Sequence, residues 1–434
     1  MPVPESVIGP ITRYQEVVMT MTVAAGIDIR PFQIAIPQKD LDDLRARLNA
    51  ARYPTAELAK DASQGVQLAT LQAVARYWAT EYDWRKVEAR LNALPQFMTT
   101  IDGLDIHFIH VKSAHPDALP VIITHGWPGS VMEMLDVIGP LTDPTAFGGT
   151  ANDAFDVVIP SMPGYGFSEQ PTELGWSGNR IASAWGELMS RLGYTRYVAQ
   201  GGDQGATVTD AMARQAPAGL AGIHLNFLSA FPTEVGAALF GDTFAMGLIK
   251  RAAVGVIASR AEKEEAALAG IERTFWAGYI AEMNTKPQTI GYGSMDPLAM
   301  AAWMLDHDAD SYQKISAAFL DGKPTGGLTR DHVLDNLTLY WLTNTSTSAA
   351  RLYWENYQNI LKSLAGGPKP PNIDVPTGFT VFPQELFQAP RAWADKVYPN
   401  LVYFGEAPKG GHFAAWEVPQ IFTEELRRSF QSVR

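Results

Sequence analysis

Apolar residues along this chain follow two rhythms, and the changes between them divide it into regions. Between residues 31 and 95 the rhythm is helical. In QKDLDDLRARLNAARYP, Leu41, Leu44 and Leu48 fall on one helix face with charged residues between them. Pro37 before this run and Pro54 after it suit its two ends. LATLQAVARYWATEYDWRKVEARLNAL repeats the pattern, so this region is expected to be α-helical and to contribute no sheet. From residue 97 short apolar runs take over: IHFIHV (106–111), PVIITH (120–125), FDVVIP (155–160), RYVAQG (196–201) and GIHLNF (222–227). Helical stretches separate several of them. That alternation predicts the α/β class, with a mostly parallel sheet covered by helices on both faces. Strand-like runs stop after residue 230, and 233–363 reads as helical. AGGPKPPN (365–372) reads as a linker. Strands resume at GFTVF (378–382) and LVYFGE (401–406), and a final helix follows in PQIFTEELRRSF. A helical block between two sets of strands is expected to be an inserted cap. The expected regions are therefore 1–95, 96–231, 232–370 (the cap) and 371–434.

Composition narrows the function classes. With 434 residues, 46% hydrophobic and 18% charged, the chain can bury a large core plus an insertion. Its net charge of -12 and the lack of any dense Lys/Arg run argue against a nucleic-acid partner. It contains no cysteine, which excludes disulfides, thiolate metal sites and a cysteine nucleophile, and fits a cytoplasmic location. The longest N-terminal apolar run, VVMTMTVAAGI (17–27), is shorter than the ~20 residues of a spanning helix. As a signal segment it is poor, because Glu5 and Glu16 stand where basic residues belong. No transmembrane anchor is expected, and Met19 or Met21 is an alternative start.

The chemistry is concentrated in three segments. GGDQGA (201–206) lies between a strand and a helix, with glycines on both sides of Asp203. A plain capping aspartate needs no such glycines, whereas a tight strand-to-helix elbow that presents a nucleophile does. HGWPGS (125–130) follows another strand and is placed to lend a backbone N–H to an oxyanion hole, the second N–H coming from the residue after Asp203, Gln204. A general base at neutral pH should be histidine. Of the eight histidines, His107, His110, His125 and His224 fall on or beside strands, and His115 lies in a polar loop. His307 and His332 have acidic neighbours and are expected in solvent. His412, in KGGHFAAWEVP after the last strand, fits the order nucleophile, acid, histidine. The acid should follow a late strand; Glu385 in TVFPQELFQAP is placed for it, with Asp395 and Glu406 as rivals.

Together, PFQIAIPQKDLDDLRARL, HGWPGS, VVIPSMPGYGFS, GGDQGA, FPQEL and GGHFAAWEVP resemble the microsomal and juvenile-hormone type of epoxide hydrolase, in the α/β-hydrolase superfamily. The resemblance covers residues 31 to about 430. It implies Asp203 as nucleophile, Glu385 as acid and His412 as base. It further implies two cap tyrosines, Tyr279 in GYIAEMNTKP and Tyr353 in RLYWEN; on the residues alone Tyr340 and Tyr357 are equal candidates. Backbone N–H groups of Trp127 and Gln204 would form the oxyanion hole. Gln204 departs from the aromatic residue that members of the family often carry. No cofactor or metal is implied. The expected partner is a small epoxide, apolar or aryl given TFWAGY, LYWLTN and RLYWENY, and a homodimer is possible.

The reaction implied is epoxide plus water to vicinal diol through an ester on Asp203. A carboxylate is the suitable nucleophile because its ester has a carbonyl carbon that water can attack, whereas a serine would be left as an ether. Two alternatives share the fold. A haloalkane dehalogenase would use the same Asp nucleophile but needs halide-binding donors in place of two tyrosines. A catalytically inactive binding protein would have lost part of the set.

Overall fold

The computed structural model describes residues 28–232, 262–275, 278–364 and 371–434. The apolar run at 17–27 and residues 365–370 of the expected linker lie outside the described residues. Among the described residues nine strands form one sheet: β1 (Ile29–Pro31), β2 (Gln96–Ile101), β3 (Leu104–Val111), β4 (Leu119–Thr124), β5 (Phe155–Pro160), β6 (Tyr197–Gly201), β7 (Leu220–Leu225), β8 (Thr377–Val381) and β9 (Leu401–Glu406). Their order across the sheet is β1-β2-β3-β5-β4-β6-β7-β8-β9. The stretch from β5 to β9 is parallel, while β1, β2 and β3 are antiparallel to their neighbours. Central strands β5 and β6 are buried at every position, which explains their continuous apolar runs: helices cover both faces.

Two strands, one just before the N-terminal helices and one just after them, lie outside the expected strand runs. Strand β1 pairs with β2, and β2 forms a hairpin with β3. The hairpin turn is Asp102-Gly103, both with positive φ (51° and 84°). Asp-Gly between two strand-like runs is a strong hairpin signal, because such a turn matches the twist of its strands. QFMTTI before that pair was therefore legible as a strand.

The N-terminal helices Gln38–Asn49, Leu68–Thr80 and Trp84–Asn92 lie against the cap. Trp78 Nε1 donates to Thr338 Oγ1 (2.9 Å), and the hydroxyls of Tyr77 and Tyr82 donate to Asp331 (2.9 Å) and Asp335 (2.8 Å). All three acceptors lie on the cap helix Arg330–Thr343. The same helix grips the core from its other side. Asn336 Nδ2 donates to the Pro128 carbonyl (2.6 Å), Ser130 Oγ to Asn336 Oδ1 (2.7 Å), and Tyr340 hydroxyl to the Gly129 carbonyl (2.7 Å). Buried polar groups left unpaired are costly, so these bonds set where the cap sits over the HGWPGS loop.

Candidate active site

Strand β6 runs straight into the helix Asp203–Gln215, and Asp203 takes up the bend with φ of 49°. A left-handed conformation is strained for a residue with a Cβ and persists only where packing enforces it. The flanking glycines explain how the bend fits. A Cβ on Gly205 would strike the carbonyls of Thr124 and His125, and one on Gly202 would strike Asn226. The elbow is pressed against the end of β4, and only glycine allows the approach.

This places the Asp203 carboxylate over the HGWPGS loop. Trp127 N–H donates to Asp203 Oδ1 at 2.8 Å. The other oxygen, Oδ2, lies 3.8 Å from His412 Nε2. His412 Nδ1 is bound to Glu385 Oε1 at 2.6 Å, and that oxygen also accepts from the Leu386 N–H (2.8 Å). Asp203, His412 and Glu385 thus form a continuous line from elbow to imidazole to buried carboxylate. The rival acids are elsewhere: Asp395 faces Arg391 (3.6 Å) and Glu406 faces Lys263 (2.7 Å), both exposed. Burial by itself would discharge the His412 ring. The carboxylates of Glu385, Asp203 and Asp308 outweigh it and push the ring up to about 10.

Tyr279 and Tyr353 come from different cap helices, Gly278–Thr285 and Ser346–Leu364, and converge on the same point. Their ring centres are 6.3 Å apart and lie 5.1 Å and 6.0 Å from Trp127. Both are buried, and the Tyr353 hydroxyl, close to the Gln204 side chain, makes no well-aligned hydrogen bond among the described residues. Burial, reinforced by the Asp203 charge, raises both phenols well above their ordinary range, so they keep their protons as donors. The other two tyrosine candidates separate here. The Tyr340 hydroxyl is committed to the Gly129 carbonyl, and Tyr357 lines the substrate-sized cavity described below.

The Gln204 side chain accepts from Asn356 Nδ2 (3.0 Å) on the Tyr353 helix. In place of an aromatic wall it ties the elbow to the cap. His125 is buried and structural: its Nε2 accepts from the Met162 N–H (3.2 Å), and burial lowers it to about 4. His107 and His224 are likewise enclosed, bonded to Ser161 and Gln96, and to Thr380.

One expectation is corrected. His307 is not in solvent; it is buried with its ring centre 4.3 Å from that of His412 and 4.9 Å from that of Tyr279. Its acidic neighbour Asp308 points inward as well. Asp308 Oδ2 accepts from His307 Nδ1 (2.9 Å), and its Oδ1 caps the helix Ala309–Asp321 through the Ser311 N–H (2.7 Å). An acidic neighbour marked a helix cap here, not a solvated surface. His332 is half-buried, with Nδ1 on the Gly327 carbonyl. Sequence reasoning also passed over Glu133, a buried carboxyl beside the triad that burial pushes up to about 8. No motif marks it: only its place in the fold reveals it. Asp203, His307 and His412 offer three ligand atoms within 4.8 Å of one another, so a divalent cation there would tie up the Asp203 carboxylate and the His412 ring.

Two cavities meet at the elbow. A large one, about 800 Å³, is lined by Asp203, Gln204, Tyr279 and Tyr353 and by apolar residues including Phe227 and Phe387. A small one, about 10 Å³, is lined by Asp203, His412, Trp127 and Glu133.

Comparison with known proteins gives the family. Residues 29–134 match a family model described as "Epoxide hydrolase N terminus", and 120–235 match the alpha/beta hydrolase fold. A Stigmatella aurantiaca protein with a provisional epoxide hydrolase name is 48% identical over 94% of this chain and 86% of its own length. Epoxide hydrolase 1 of Sus scrofa is 32% identical over 92% of this chain and 88% of its own. The crystal structure of juvenile hormone epoxide hydrolase from Bombyx mori superposes with a TM-score of 0.77 at 28% identity, covering 94% of this chain and 95% of that one. The chain therefore belongs to the epoxide hydrolases: it is an enzyme with the α/β-hydrolase fold that adds water to an epoxide to give a vicinal diol.

Proposed function

We propose that Asp203 carries the covalent ester, that Tyr279 and Tyr353 activate the epoxide, and that His412, oriented by Glu385, activates the water. The observation that carries this reading is the position of the Asp203 carboxylate. One oxygen is held by the Trp127 N–H, and the other is free to face both the tyrosines and the base.

In the first step Asp203 Oδ2 displaces the epoxide oxygen at carbon, and the carbon–oxygen bond of the ring breaks. The two phenols hydrogen-bond that oxygen and supply a proton as it becomes an alkoxide. In the second step His412 Nε2 takes a proton from water, and the water oxygen bonds to Asp203 Cγ. Charge develops on Oδ1, where the Trp127 and Gln204 N–H groups stabilise it. As the ester bond breaks, His412 returns its proton to the departing oxygen, and the proton left on the new Asp203 oxygen passes back to the tyrosine that gave one up. The diol leaves with an oxygen that began on Asp203. Burial of the phenols supports the first step, since a neutral donor is needed beside an anionic nucleophile. The high proton affinity of His412 in the resting enzyme fits the second: it drops once esterification removes the Asp203 charge.

The substrate we favour is an apolar or aryl epoxide, supported by Phe227, Phe231 and Phe387 along the large cavity. Two buried phenols suit an oxygen leaving group rather than a halide, which favours epoxide over haloalkane as the natural substrate.

The test is a single turnover of styrene oxide with excess enzyme in heavy-oxygen water. Diol from the first turnover should carry unlabelled oxygen, and Asp203 should gain the label. Label in the first diol would mean direct attack by water and would overturn the ester.

A further inference from the structure

Among the described residues, the large and small cavities share one lining residue, Asp203. The tyrosines open onto the large cavity and His412 onto the small one. The small cavity, about 10 Å³, has room for a single water, which needs at least two polar partners to be held there. His412 and Asp203 supply two, and a third polar side chain in its wall is Glu133.

Several features show that Glu133 is seated there by construction. It stands on the turn Val131–Met134, directly after the HGWPGS loop, and Ser130 Oγ caps that turn through the Met132 N–H (3.2 Å). It is buried, yet no described residue is hydrogen-bonded to its carboxyl group. A buried carboxyl without a protein partner is costly unless water or substrate pairs with it. Gly129 makes the seat possible: a Cβ there would collide with Glu133 Oε2. Burial keeps the group in its acid form near neutral pH, so it does not set a second anion against the nucleophile.

We infer that Glu133 is a further catalytic residue, the carboxyl group that holds the hydrolytic water against His412 on the opposite side of Asp203 from the epoxide. This rests on the ester reading given above. The water donates one O–H to His412 Nε2 and the other to a Glu133 oxygen. Its lone pair is then left to attack Asp203 Cγ. As that bond forms, the first proton passes to His412, and the carbonyl electrons move to Oδ1. Collapse breaks the ester bond, and His412 returns the proton to the departing diol oxygen. Glu133 gains and loses no proton; it fixes the direction of attack.

The experiment separates the two half-reactions. Wild type, E133Q, E133A and G129A are each mixed in excess with styrene oxide and quenched over time. Mass spectrometry of the peptide containing residue 203 then follows ester formation and decay. In E133A, ester decay should slow about 10²-fold while its formation stays within about threefold. E133Q keeps an oxygen acceptor and should lose less than about tenfold. G129A keeps the carboxyl but displaces it and should show the decay defect, with no further loss when combined with E133A. Ester decay at the wild-type rate in E133A, or equal loss of both steps, overturns the inference. Should E133A fail to fold, G129A decides by the same criterion. If the wild type forms no ester, it is the ester reading that fails; if ester forms and decays normally in the Glu133 variants, the inference alone fails.

Discussion

The two cavities that meet at Asp203 differ in size, in wall material and in what they ask of the protein. The large one is walled mainly by the cap and by the elbow helix, and its polar groups at the reacting centre are two neutral phenols. The small one is walled by core loops: the HGWPGS loop, the turn carrying Glu133 and the loop carrying His412. The difference matches the chemistry. Substrate must enter and diol must leave, so that side is roomy and built from an inserted element. A single water must attack one carbon from one direction, so that side is tight and tied to the ends of sheet strands. A nucleophile on a sharp elbow is the only group that can belong to both.

The comparison can be broken at its shared point first. D203A removes the nucleophile from both sides and should lower turnover by about 10⁴-fold or more, measured as diol formed per enzyme, with the fold checked by circular dichroism. H412Q disables the water side alone. Ester decay should fall about 10³-fold while ester formation persists, so the alkylated Asp203 peptide accumulates. Y279F and Y353F disable the other side. Each should slow ester formation by about 10- to 10²-fold and leave its decay within a few-fold, as read by quenched-flow mass spectrometry.

A pH series sharpens the same division. In the resting enzyme His412 holds its proton up to about 10, with three carboxylates opposing the effect of burial. Esterification removes the Asp203 charge, so the ring loses its proton at lower pH in the intermediate. Ester decay needs the unprotonated ring and should rise with pH, by up to about tenfold per unit below that point, then level off. Ester formation needs ionised Asp203 and protonated phenols and should stay flat through the same range. The fraction of enzyme held as ester should therefore grow as pH falls; a fraction that shrinks would reverse the assignment. The smallest effect is expected from N356A, which cuts the tie between Gln204 and the Tyr353 helix and also the bond that Asn356 Oδ1 accepts from the Gly178 N–H (2.9 Å). Loss of the Gln204 tie, about 1 kcal/mol, should change kcat/KM by about fivefold, mostly through ester formation.

Much of this was legible along the chain because it depends on local order. Seven of the nine strands follow from runs of apolar residues, and the elbow follows from glycines around Asp203. The histidine in KGGHFAAWEVP was picked out by its place after the last strand. Where reading failed, the deciding contacts are distant in sequence or hidden in a turn. QFMTTI was overlooked because the Asp-Gly signal behind it went unused. An acidic neighbour suggests solvent for His307, yet that neighbour, Asp308, caps a buried helix start. Placement alone leaves Asp395 and Glu406 as rivals of Glu385, since each follows or flanks a late strand, and the FPQEL resemblance selects Glu385. Its 2.6 Å bond to His412 separates them.

The sequence by itself determined the α/β class, an aspartate between glycines at a strand-to-helix elbow and the absence of any thiol chemistry. Those depend on residue identity and on short-range spacing, which a chain carries before it folds. Tertiary structure alone decided that Gln204 braces the cap and that His307 and Glu133 stand beside Asp203 and His412. Those depend on how separate elements pack, and packing places side chains by exclusion and hydrogen bonding between segments tens to hundreds of residues apart. GGDQGA announces an aspartate on an elbow; only the fold gives that aspartate two different sides.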